Sequence, residues 1–151
     1  MMAIMGTETG NAGLIQDFIR VQIEAVAACV AAIPHLAGPD ERAAVVDLRC
    51  EHQRQLALLR ELAREERIDP PVSGTAYEAG TIGGIRKAAR TGGDRSVLEA
   101  LARSEAAVVA DYRRVVQNTV LSATTRPVFE RALDALRRHR RQLVRHARLA
   151  L

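Results

Sequence analysis

Aromatic residues make up 3% of this 151-residue chain: two Phe, two Tyr and no Trp. β-sandwiches and barrels draw far more heavily on aromatic and β-branched residues, and base-stacking nucleic-acid platforms need surface aromatics. The composition argues against both. Lysine is nearly absent as well, since Lys87 is the one basic residue of 22 that is not arginine. Two cysteines, Cys29 and Cys50, are too few for a disulfide scaffold and fall in separate helical segments, so both are expected to be reduced. The longest unbroken apolar run, residues 25–33, is nine residues, against the roughly 20 that a membrane span needs. Residues 1–6 lack the basic start of a secretory signal. The expectation is a cytoplasmic protein that meets no membrane.

What remains is 48% hydrophobic, mostly Ala, Val, Leu and Ile, enough for one globular domain covering 1–151. The formal charge of +4 is unevenly placed. From Arg126 onward eight arginines face only Glu130 and Asp134, a net of +6, and the rest of the chain is mildly acidic at −2.

Apolar residues recur at helical spacing in four stretches. The first, about 12–33, has Asn11 as its expected N-cap, a stripe of Leu14, Phe18, Val21, Ala25, Cys29 and Ile33, and a stop at Pro34. The second, about 40–67, carries Val45, Leu48, His52, Gln55, Leu59 and Leu62. Asp69-Pro70-Pro71 breaks it. A weak helix over about 76–90 follows, poor in propensity because of Gly80, Gly83 and Gly84, and Thr91-Gly92-Gly93-Asp94 ends it. The third long helix, about 95–120, starts with Asp94 as cap or with Ser96 and Glu99 as a capping box. The fourth, about 126–150, has Pro127 in its first turn, where the missing N–H costs nothing, and a stripe through Phe129, Ala132, Leu136, His139 and Leu143. No stretch alternates like a strand. The fold class is therefore all-α, and the expectation is a four-helix bundle of ferritin-like topology, because the long 68–94 crossover can leave the second and third long helices parallel; an up-down bundle with a decorated loop is the alternative.

Polar groups interrupt the apolar faces: Glu24, His52, Glu105 with Tyr112, and His139 with His146. Buried groups of this kind must be paired or bound. Short hairpin turns set Glu24 level with Arg49 and within a turn of His52, and set Glu105 level with Arg140 and beside His139. Di-iron bundles take one Glu from each of two helices and Glu-x-x-His from the other two. Here Arg49 and Leu136 occupy the carboxylate positions three residues before His52 and His139. The expectation is a buried polar layer that includes Arg49 and Tyr112, with no cofactor. The alternative is a single Fe, Mn or Zn ion held by Glu24, His52, Glu105 and His139.

The stretch 91–112, TGGDRSVLEALARSEAAVVADY, resembles a family of small bacterial ferritin-like four-helix proteins classed as a domain of unknown function. The shared features are a Gly-Asp start to the third helix and a Glu with a Tyr seven residues on, here Glu105 and Tyr112. An Arg/His face with a Leu-rich run (Arg49 to Leu62), a His in an Arg- and Leu-rich fourth helix (His139) and a glycine-containing minor helix match as well. The similarity covers about 14–148 and implies a ferritin-like fold with no established activity, because fold alone does not fix function. Without carboxylates at 49 and 136, ferroxidase chemistry is not expected even by analogy, and a non-enzymatic protein is the favoured reading.

Two interaction readings stand beside it. Arg137, Arg138, Arg140, Arg141 and Arg145 could bind an acidic partner or another polyanion. Their spacing reads as a spread round the solvent side, paired with Glu61, Glu65 and Glu66, so nucleic acid is not the expected partner. Ala27, Ala28, Ala31 and Ala32 offer a close-approach face for a homodimer. No phosphate loop or nucleophile elbow is present.

Overall fold

The structure, a computed structural model, describes the backbone of residues 2–73 and 77–150 and the side chains of 12–73 and 80–150. All regular structure in it is helical: α1 (Met2–Ala32), a single 3₁₀ turn (Ile33–His35), α2 (Pro39–Glu65), α3 (Tyr77–Asn118) and α4 (Thr125–Leu149). α1 starts well before the expected cap, so Asn11 lies inside the helix.

α3 is two helical limbs, 77–92 and 94–118, joined at Gly93, whose φ of 64° and ψ of −153° suit only a residue without a Cβ. The Gly-Gly-Asp signal therefore marks a sharp bend. Asp94 does not cap its own helix. Its carboxylate accepts the backbone N–H groups of Ala37 and Gly38, both at 2.8 Å, which pins the bend to the α1–α2 turn. A Cβ at Gly38 would displace the carboxylate end of the Glu41 side chain. The Ser96–Glu99 capping box does not form either, because Glu99 pairs with Arg95 at 3.0 Å.

α2 ends in a Schellman motif: Ile68 N–H bonds Ala63 C=O at 2.7 Å and Arg67 N–H bonds Arg64 C=O at 3.3 Å. The left-handed position is filled by Arg67 at φ 56° where glycine is usual. α4 is entered through Ser122, whose hydroxyl accepts the Thr125 N–H at 3.1 Å.

Each long helix packs against two others: α1 on α2 and α3, and α4 on α2 and α3. Contacts fix the directions. Along α2 and the 94–118 limb, Gly38 meets Asp94 and His52 meets Glu105, so these two helices run the same way across the bundle's diagonal. Ala37 meets Asp94 and Gln22 meets Tyr112, so α1 runs against that limb. Arg140 reaches Ala102 and Arg126 reaches Val116, so α4 does too. The 77–92 limb is the crossover helix, lying outside the groove between α1 and the 94–118 limb, with Ile85 buried.

The whole predicted stripe of α2 is buried. Phe18, Tyr112 and Phe129 meet as one cluster with centroid distances of 4.6–5.4 Å, so three of the four aromatic side chains are pooled at one level, where such pairs add about 0.5–1.5 kcal/mol each. The 12–35 stretch is long and apolar enough, by length and composition only, to cross a membrane. That differs from the expectation drawn from unbroken runs, because Gln16, Asp17, Arg20, Gln22 and Glu24 interrupt the run without lowering its mean hydropathy enough. In the bundle its Ile15, Phe18, Ile19, Ala28 and Ala32 form core.

Candidate buried polar layer

The centre of the bundle holds a chain of hydrogen bonds through three helices. Glu105 Oε1 lies 2.8 Å from His52 Nε2, His52 Nδ1 lies 2.7 Å from Gln22 Oε1, and Gln22 Nε2 donates to the Tyr112 hydroxyl at 2.6 Å. Glu105, His52 and Gln22 are fully buried and Tyr112 is 1% exposed. Helix phase explains the convergence. His52 sits on the α2 stripe, Gln22 falls four residues after Phe18, and Glu105 and Tyr112 are seven apart on one face of the 94–118 limb.

Facing the Gln22 carbonyl, His52 Nδ1 must carry a hydrogen. At 2.8 Å, Nε2 and the carboxylate need a proton between them, or lone pair would face lone pair. The hydrogen bond between His52 and Glu105 lowers the cost of burying both groups. Neither ring nitrogen keeps a free lone pair. Burial pushes the Tyr112 hydroxyl far above its ordinary value; the Gln22 bond opposes this and the Glu105 charge adds to it. Burial likewise raises the Cys29 thiol well above normal, with Glu105 adding and Arg49 opposing. Cys29 is therefore an inert core thiol beside the layer, whereas Cys50 is exposed.

A second pairing lies between α2 and α4. His139 Nε2 is 3.7 Å from Glu51 Oε1, and Glu51 also accepts from Arg54 at 2.9 Å and Gln55 at 2.7 Å. Arg49 Nε, Gln55 Oε1, Glu105 Oε2 and His139 Nδ1 are buried without a hydrogen-bond partner.

The four expected ligands are not brought together. His52 and Glu105 meet, but across the diagonal. Glu105 does not pair with His139, which turns to Glu51. Glu24 lines an outer groove between α1 and the two limbs of α3, with Arg103, Ser104 and Asp111, and Gln22 takes the place at His52. Among the described residues no three His, Cys, Asp or Glu side chains gather closely enough to hold a metal. Tyr112 joins the layer as expected, while Arg49 is present only through its buried, unbonded Nε and its field on Cys29. Leu136 is core. Two members were missed, Gln22 and Glu51. The signal for each was helical spacing: 18-22-25 on α1 and 48-51-55 on α2.

The arginines of α4 also differ from expectation. At 100° per residue, Arg137, Arg138, Arg141 and Arg145 fall within about 100° of one another, opposite the buried face, and Arg148 joins them, whereas Arg140 lies about 60° outside this stripe. Among the described residues none of them, nor Arg140, makes an ion pair. α4 runs against α2, so Glu61, Glu65 and Glu66 lie level with its N-terminal end, away from the stripe. Asp40 and Asp47 instead share a groove with Arg145 and His146. Of the alanine face, Ala28 and Ala32 are core, which leaves Ala27 and Ala31 half-buried beside exposed Val30. No family model, curated protein or solved structure matches this chain.

Proposed function

We propose that this is a non-enzymatic ferritin-like bundle in which the positions of a di-metal centre have become a buried, proton-holding polar layer that fixes helix register. The observation that carries it is His52, whose two ring nitrogens are both engaged, at 2.7 Å and 2.8 Å, by Gln22 and Glu105. A metal ligand needs a neutral imidazole with a free lone pair. The remaining donors do not suit a di-metal group either. Arg49 and Leu136 stand where bridging carboxylates are required, and Glu24 lies on an outer groove. The parallel arrangement of α2 and the 94–118 limb, joined by a crossover helix, supports the ferritin-like topology.

Elemental analysis of protein purified without chelators tests this reading. The expected content is below about 0.1 Fe, Mn or Zn per chain, and about one ion per chain would overturn it in favour of the single-ion alternative.

A further inference from the structure

One groove of the bundle concentrates positive charge, although its Arg103 also borders the outer groove that holds Glu24 and Asp111. A groove of about 300 Å3 runs between the 94–118 limb and α4 and is lined by Arg95, Arg103, Arg140 and Arg148, with Glu99 as its one carboxylate. Its floor is Ala102, Val144 and Ala147, which offer nothing to neutralise the guanidinium groups. Glu99 is paired with Arg95, and among the described residues Arg103, Arg140 and Arg148 make no ion pair. Arg140 is held in place by a 3.4 Å bond from Nε to the Ala102 carbonyl. That contact and the antiparallel run of the helices set Arg103 opposite Arg140 and Arg95 opposite Arg148. The two cross-groove pairs are eight residues apart along each helix, about 12 Å.

Like charges set face to face across a concave surface repel one another unless an anion lies between them, and planar guanidinium groups match phosphate oxygens in bidentate fashion. The groove on the other side of α4 does not share the pattern, because Asp40 and Asp47 balance Arg145 there. No aromatic side chain lines the basic groove, so it has nothing on which a base could stack. We infer that the α3–α4 groove binds an extended, base-free phosphate chain, with Arg103 and Arg140 gripping one end and Arg95 and Arg148 the other. Glu99 opposes binding at the second pair.

The test uses the whole chain and isothermal titration at low salt, with linear inorganic polyphosphate, orthophosphate and oligothymidylate as probes. Polyphosphate is expected to bind at least about tenfold more tightly than orthophosphate, because one chain reaches both arginine pairs. The double variant Arg103→Ala/Arg140→Ala should lose about tenfold or more, while Arg138→Ala/Arg145→Ala, with the same change in net charge, should lose less than about twofold. Glu99→Gln should tighten binding. Circular dichroism confirms that each variant is folded. Equal losses in the two double variants would mean that net charge alone attracts the anion, and would overturn the site. Equal affinity for orthophosphate and polyphosphate would overturn the two-ended grip. Tighter binding of oligothymidylate than of polyphosphate would overturn the base-free assignment.

Discussion

Removing His52 alone should damage the fold far more than removing His52 and Glu105 together. In His52→Leu the Glu105 carboxylate stays buried after losing its one hydrogen-bonded oxygen contact, and its Oε2 already has no partner. Breaking a buried pair in this way costs about 3–5 kcal/mol. The Gln22 carbonyl also loses its donor, within a range of about 1–3 kcal/mol for an orphaned polar group. In the double variant His52→Leu/Glu105→Leu only the Gln22 loss persists, and two well-packed leucines replace the pair. A double-mutant cycle by urea unfolding, followed by far-UV circular dichroism, should therefore return a coupling of at least about 2 kcal/mol, with the double variant the more stable of the two. For a chain of this size the single variant should melt about 10 °C below the parent. Additive losses, or a double variant less stable than His52→Leu, would refute the view that the layer is held together by this pair.

Arg67→Gly should stabilise the chain by about 1 kcal/mol by relieving a left-handed residue in the α2 Schellman motif, whereas Gly93→Ala should destabilise it by about 1–3 kcal/mol, both read as shifts in urea midpoint. Tyr112 ionises far less readily in the folded chain than in the unfolded one. The stability this carries is intact below the ordinary tyrosine value of about 10 and falls as pH rises above it, because the unfolded chain then releases a proton that the folded chain retains. Unfolding followed from pH 8 to 11 should show this loss in the parent and a shallower one in Tyr112→Phe.

Periodicity and breakers carried most of the fold. Pro34, the Asp69-Pro70-Pro71 break and Gly92-Gly93-Asp94 each mark a true boundary or bend, and the apolar stripe of α2 is buried residue for residue. The pairing of polar groups was less legible. Hairpin arithmetic fixes depth along the bundle and says nothing about direction round a helix axis. Glu24 and Gln22 are two residues apart, about 200° round α1, so nearly the same depth puts Gln22 in the centre and Glu24 on an outer groove. The same blindness hid the diagonal, since His52 and Glu105 belong to different hairpins and meet only because α2 and the 94–118 limb face each other across the core. Gln22 was also overlooked because an amide does not titrate, although it supplies both a donor and an acceptor to the layer. Asp94 looked like a local cap because sequence proximity favours its own helix, yet two N–H groups of the α1–α2 turn are its partners.

The central claim is that His52 has no nitrogen to give to a metal. Side-chain 15N–1H NMR of the folded protein, recorded with and without added Zn2+, tests it most directly. The predicted spectrum shows a hydrogen-bonded, slowly exchanging Nδ1–H on His52 and no change in either ring-nitrogen resonance as Zn2+ is added. A His52 nitrogen that shifts as a metal-bound imidazole on Zn2+ addition would contradict the account.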